Sequence, residues 1–390
     1  MNPRFHFRFH FRLHFRLHFR IHRLRIAVAL CALASLFAPR IAQAQLRSPW
    51  DGQSIPLTDA PYDCPQPPPF TKTLDAESYY TDAHHSIIDP KKRDAEEKAT
   101  EAPTHLGQWS TEAADAYLTK GSRAAAACVY SLLDAAAGAH AWSGEMPTGQ
   151  GHYEQKWLLA AVSVSYLKVR NSGVATPDQQ KEIQKWFSSV ANRVTDYVDT
   201  KKVNPDSDAW NNHRYWAGLA VAAAGIAIND KSDFAFGILS YKAGVDQIRP
   251  DGALPREMER AGRALHYHLY ALAPLIMIAE LAQANGMDLY SYNKGAIHRL
   301  VDVCVAGLQN PEIFAKATGV PQDIVAGQHS GADIGWAVPY VKRFPNPQLS
   351  AWIAQAGTVR FWQWGGLPPA PIRNCIGCLS SAQTAERRIA

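Results

Sequence analysis

Long apolar runs are nearly absent from this 390-residue chain. The one near the N-terminus, Ile26–Ala38, has 13 residues and falls short of the roughly 20 that a membrane-crossing helix needs. It follows a very basic stretch and precedes Ala42-Gln43-Ala44, a small-residue cleavage pattern. Residues 1–44 therefore read as a secretory signal peptide. The mature protein is expected in the periplasm, without a membrane span.

A one-sided charge is lacking too. The leader holds 8 of the 40 Lys+Arg and none of the 35 Asp+Glu, which leaves 32 cations against 35 anions in the mature chain. A nucleic-acid partner, which needs a basic face, loses its support. If the substrate is an anion, its positive contacts must gather in one cleft. With 47% hydrophobic and 19% charged residues, disorder is excluded. Cysteine is scarce, and five remain after cleavage: Cys64, Cys128, Cys304, Cys375 and Cys378. Export permits disulfides, but a chain of this size does not need them. Cys375-x-x-Cys378 has no second Cys/His pair nearby and reads as a local disulfide or two thiols rather than a zinc knuckle. The leader's Arg-x-His repeat (Arg4, His6, Arg8, His10, through His22) reads as an overlong basic region or an early start, not as a metal tract.

Alternating strand patterns are scarce. No Gly-Lys phosphate loop, dinucleotide fingerprint or His-Glu-x-x-His zinc motif appears, and no cofactor or metal is expected. What is present is helical. After a Pro-rich lead-in over 45–73, apolar residues recur at three- and four-residue spacing in Ala113–Ala139, Glu154–Val169, Asp178–Val198, Tyr215–Ile228, Ala261–Ala284 and Tyr292–Leu308. The spacing predicts an all-α domain over 74–365, built of antiparallel helical hairpins around a shared core. A Pro-, Ser- and Arg-rich tail, 366–390, is expected to be peripheral.

Two segments carry chemistry. Asn211-Asn212-His213-Arg214-Tyr215-Trp216 puts polar groups just ahead of an almost wholly apolar helix. Asn211 or Asn212 is a natural cap, and a helix start beside an amide and an imidazole suits a carboxylate. The plain alternative is a cap with a structural His and two core aromatics. The second segment runs from Arg249 to His268. A helix there would set Arg260, Ala264 and Tyr267 on one face, a cation beside a phenol. Its plain alternative is an Arg260–Glu257 pair with Tyr267 in the core.

These strings resemble the alginate lyases of polysaccharide lyase family five, the poly(β-D-mannuronate) lyases. The resemblance rests on 211–216, on Asp251-Gly252-Ala253-Leu254-Pro255, and on Arg260 through His268. Cys64-Pro65, Ala127-Cys128, Lys156-Trp157 and Leu275–Leu289 support it, and it spans roughly 60–345. It implies an incomplete (α/α) toroid or barrel with a long cleft for an anionic polyuronate. The catalytic residues it implies are Asn212, His213, Arg260 and Tyr267. Tyr79, Tyr80, Trp216, Arg263 and His268 are expected to bind substrate. The family's N-terminal Lys falls on Tyr79 in an ungapped register, a departure that bears on substrate preference; Lys91-Lys92-Arg93 is an alternative source of charge.

The implied reaction removes the proton at C5, beside the uronate carboxylate, and expels O4. Arg260, Asn212 and a protonated His213 are expected to neutralise the carboxylate. Tyr267 is expected to act as base and then acid, with nearby cations lowering its pKa from about 10. His213 as base with Tyr267 as acid is the other assignment, for a substrate of opposite C5 stereochemistry. The expected protein is a monomeric lyase for mannuronate-rich alginate. The alternatives are a lyase for a glucuronate-containing polymer and a non-catalytic polyuronate binder. A glycoside hydrolase would need two carboxylates across a cleft, which Glu257, Glu259 and Glu280 do not promise.

Overall fold

The computed structural model describes residues 45–369. The expected leader over 1–44, the arginine–histidine repeat within it, Cys375, Cys378 and most of the expected tail lie outside the described residues. Helices dominate, and among the described residues the β-structure amounts to isolated bridges: Thr58 with Ser122, Tyr80 with Ile88 and Phe361 with Gly366.

The first helices are α1 (Pro90–Ala99), α2 (Glu101–Lys120) and α3 (Arg123–Gly138). The single apolar stretch expected at Ala113–Ala139 is broken in two at Gly121. That residue turns left-handed (φ 67°) to close α2, and the Ser122 hydroxyl accepts the Ala125 N–H at 3.1 Å to open α3. A side chain at Gly121 would also meet the Pro56 carbonyl oxygen, so glycine lets the lead-in cross here. The lead-in is thus seated on the helices and is not a free extension. Thr58 bonds to Gly121 and Arg123, Asp51 pairs with Arg170, and Cys64 is bridged to Cys128.

The middle of the chain forms α4 (Gly149–Val169), α5 (Pro177–Lys201), α6 (Asn212–Ile228) and α7 (Lys231–Val245). α5 starts at a reciprocal cap between Thr176 and Gln179. α6 is small and apolar on nearly every face and is buried against α4, α5, α7 and the later helix Ala264–Ala284. Its approach to α7 is close: a Cβ on Gly218 would lie 2.4 Å from that of Ser240, and one on Gly237 would lie 2.4 Å from that of Ala222.

The short α8 (Pro255–Met258) and a 3-10 turn, Ala261–Arg263, lead into α9 (Ala264–Ala284), which packs on α10 (Tyr292–Gln309). α9 is apolar and long enough to cross a membrane by composition, yet it is buried among the other helices. Toward the C-terminus, Asp115 of α2 pairs with buried Lys168 at 2.6 Å and with Arg360 at 2.9 Å. It also accepts the Leu367 N–H. Successive hairpins curl in this way into an incomplete helical toroid, as expected from the sequence.

The Cys64–Cys128 bridge closes a separation of 64 residues, worth about 4 kcal/mol in the chain-entropy account of cross-links. Replacing both cysteines by alanine should lower the free energy of unfolding in denaturant by roughly 2–4 kcal/mol. Unchanged stability would show that the lead-in is held without the bridge.

Candidate active site

The site is built on the entrance to α6. Asn211 caps this helix, its side-chain oxygen accepting the His213 N–H at 2.9 Å. The next residue, Asn212, is gripped from below: its backbone N–H donates to one Glu257 oxygen at 2.7 Å and its side-chain N–H to the other at 3.0 Å. Glu257, fully buried, also faces the Arg260 guanidinium at 3.8 Å. Burial raises the Glu257 pKa, against the pull of Arg260 and of the Asn212 bonds. One carboxylate therefore ties the helix start to the turn that presents Arg260.

That turn departs from the expected continuous helix. Arg260 follows α8, and Ala261, the first residue of the 3-10 turn, takes a left-handed conformation (φ 48°). The cation nonetheless reaches the phenol, with its guanidinium carbon 4.8 Å from the Tyr267 ring centroid. Its Nη1 meets His85 Nδ1 at 2.7 Å. A guanidinium only donates, so His85 accepts there. Burial first, then Arg260, depress the His85 pKa.

Tyr267 donates to the Tyr80 hydroxyl at 2.8 Å, which also accepts Arg263 Nη1 at 2.7 Å. Tyr79 lies at the end of this row, 3.4 Å from the Tyr80 hydroxyl. The lowered phenol pKa expected for Tyr267 is not found. Burial raises it, and Arg260 and Arg263 only moderate the rise. These surroundings favour the phenol form of Tyr267.

His213 corrects a second expectation. Its ring stacks on Tyr153 at 3.7 Å, and its Nδ1 lies 3.1 Å from Lys156 Nζ. Burial, then Lys156, Arg260 and His85, push its pKa well below the ordinary histidine value. Burial and the surrounding cations thus favour the neutral imidazole, against the protonated His213 expected in the carboxylate clamp.

His213, Arg260, Tyr267, Tyr79, Tyr80 and Arg263 share one cleft of about 1590 Å³. Asn212 is buried behind its wall, while the neighbouring Asn211 lines it. Two expected substrate contacts are overturned. Trp216 is fully buried, packed on Tyr270 and Phe361, because it lies on the inner face of α6. His268 is also buried. Its Nε2 accepts the Leu254 N–H at 2.9 Å and its Nδ1 donates to the Ala264 carbonyl at 2.7 Å, which makes it a structural clamp on α8. Of the cationic run, Lys91 and Lys92 are exposed, and Arg93 alone reaches the cleft, 4.5 Å over the Tyr79 ring. Glu280 is spent on Arg343 and Tyr290. The sequence reading missed Lys156, Tyr153 and His85. Lys156 had one available signal, a cation set, like Lys168, in the largely apolar stretch Glu154–Val169.

The sequence model of the family described as "Alginate lyase" matches residues 73–314. A polysaccharide lyase of Stenotrophomonas maltophilia (strain K279a) is 40% identical over 265 residues, 66% of this chain and 77% of that protein. An alginate lyase of Azotobacter vinelandii is 32% identical over 360 residues, covering 88% and 94%. The fold is similar to that of a Tyr→Phe variant of alginate lyase A1-III complexed with tetrasaccharide, with a TM-score of 0.71, 25% identity, and 85% and 99% of the two chains covered. It is also similar to alginate lyase A1-III from Sphingomonas species A1, with a TM-score of 0.66, 25% identity, and 83% and 96% covered. With a matched segment longer than half the chain, and a cleft that gathers His213, Arg260 and Tyr267, the chain belongs to the alginate lyase family.

Proposed function

We propose that this cleft binds mannuronate-rich alginate and cleaves its 1,4 bonds by β-elimination, leaving 4,5-unsaturated uronate ends. Family membership makes the chain a polysaccharide lyase acting on alginate, and similar structures are complexes with tetrasaccharide. One observation carries the residue assignment: His213, Arg260 and Tyr267, from three separate elements, converge on one cleft.

The C5 proton is a poor acid while the adjacent carboxylate is negative, because its removal piles a second charge on the same group. In the proposed reaction Arg260 and a neutral His213 N–H bind that carboxylate and stabilise the enolate as it forms. Asn212 supports them from behind through Glu257. In mannuronate the C5 proton and O4 lie on the same face, so one group serves both. Tyr267, ionised, takes the proton from C5. The electron pair left on C5 forms the C4–C5 double bond, the C4–O4 bond breaks, and the new Tyr267 phenol returns the proton to O4. Because the resting group is a phenol, it must first ionise, and Tyr80 with its Arg263 contact lies beside it.

We also propose that the protein works in the periplasm. The leader over 1–44 and the Cys64–Cys128 bridge support this, since such bridges persist in oxidising compartments.

Three outcomes are expected. Tyr267→Phe should lower kcat on polymannuronate by about 10²–10⁴-fold, read as the ultraviolet absorbance of unsaturated ends. Comparable turnover would remove Tyr267 from the reaction, and reducing ends without absorbance would indicate hydrolysis. Arg260→Ala should lower kcat by about 10²–10³-fold with a smaller rise in KM; a pure KM effect would make Arg260 a docking contact. Finally, the ionised fraction of an acid with a raised pKa grows as pH rises, so kcat/KM should climb between about pH 7 and 9. A falling profile over that range contradicts Tyr267 as the base.

A further inference from the structure

Lys156 has no task in the lyase reading above, yet it occupies an unusual position. It lies on α4 with 3% exposure, and lysine is seldom buried without a carboxylate partner. Among the described residues its Nζ makes no ion pair, and its hydrogen-bond neighbour is His213 Nδ1 at 3.1 Å. The ring of Tyr153 lies 3.9 Å from Nζ and also stacks on His213 at 3.7 Å. Tyr153 is fixed in turn, donating to Asp208 at 2.6 Å beside the Tyr197 hydroxyl at 2.8 Å. Lysine and imidazole are thus held edge to edge against one anchored ring.

That contact dictates where the imidazole proton sits. An ammonium has three donors and no lone pair, so the nitrogen it faces must accept. In a neutral imidazole the proton then resides on the other nitrogen, Nε2. Among the described residues no acceptor is bonded to Nε2, while the His213 ring lines the cleft. With the opposite tautomer, Nε2 would offer a lone pair and the ring would be a base.

We propose that Lys156 is a positioning residue that holds His213 as its neutral Nε2–H tautomer, so that His213 meets the substrate as a hydrogen-bond donor and not as the base for the C5 proton. This rests on the lyase reading for the identity of the acceptor, a uronate carboxylate, but the tautomer itself does not. Burial brings the Lys156 pKa down to about 7, with Asp208 and Glu154 resisting. Below that pH it is an ammonium and the lock is complete.

The test is the nitrogen-15 spectrum of the histidine side chains in the full mature protein at about pH 6, without substrate and with His213 assigned from the His213→Gln spectrum. The expected signals show Nε2 protonated and Nδ1 bare. Lys156→Met, which removes the donor while keeping the stem, should move protons onto Nδ1. It should also lower kcat on polymannuronate roughly 10- to 100-fold with KM nearly unchanged, as losing the outer partner of a functional histidine does elsewhere. Lys156→Arg, which again only donates, should keep the Nε2–H signal. A wild-type His213 protonated at Nδ1, or charged, overturns the proposal even if no variant folds. So does a folded Lys156→Met protein with an unchanged tautomer. An Nε2–H signal in a protein that yields no unsaturated ends from any polyuronate would overturn the lyase reading instead.

Discussion

The site depends on one buried carboxylate. Glu257 accepts two hydrogen bonds from Asn212, one backbone and one side-chain, and faces Arg260. Taking a carboxylate out of water costs several kcal/mol unless its oxygens are satisfied. Here the satisfaction comes from two segments some 45 residues apart in sequence. Its geometry therefore fixes the start of α6 relative to the turn before α9. His213 rides on the first of these and Arg260 on the second, with Tyr267 one short turn further on. The position of each reacting group follows from that cross-tie.

Around this tie the cleft sorts its charges. Arg260 and Arg263 flank Tyr267 at 4.8 and 5.6 Å from its ring, and Lys156 stands behind His213. Burial first, and then these neighbouring cations, lower the basicity of His85 and His213. Residues 45–390 hold 32 Lys+Arg against 35 Asp+Glu, so attraction of this part for an anion comes from the local concentration of cations. Carboxylates elsewhere on the cleft wall, such as Glu96 and Glu154, are held against Gln150.

Much of this was legible in the sequence, for reasons that can be named. The helical periodicity survives because the helices are amphipathic or wholly buried, and Asn211 announces its cap by residue type. The neighbourhood of Arg260 and Tyr267 was foreseen, but by a route the chain does not take, since a left-handed Ala261 replaces the expected helical turn. Trp216 and His268 were read as substrate contacts because they adjoin reactive residues in the motifs; helical geometry instead turns them inward, one onto aromatic rings and the other onto backbone. The lowered basicity of His213 was out of reach, because it comes from burial first and then from Lys156, 57 positions away, Arg260 and His85. The Cys64–Cys128 bridge was hidden by an odd count of five cysteines, which fixes no pairing.

Glu257→Gln tests the cross-tie most directly. The amide keeps the shape but cannot accept at both ends from Asn212, and it loses the charge facing Arg260. With the fold intact by circular dichroism, kcat on polymannuronate should fall by about 10²-fold, the order expected when reacting groups shift by an ångström. A well-folded Glu257→Gln protein with wild-type kcat would contradict the account.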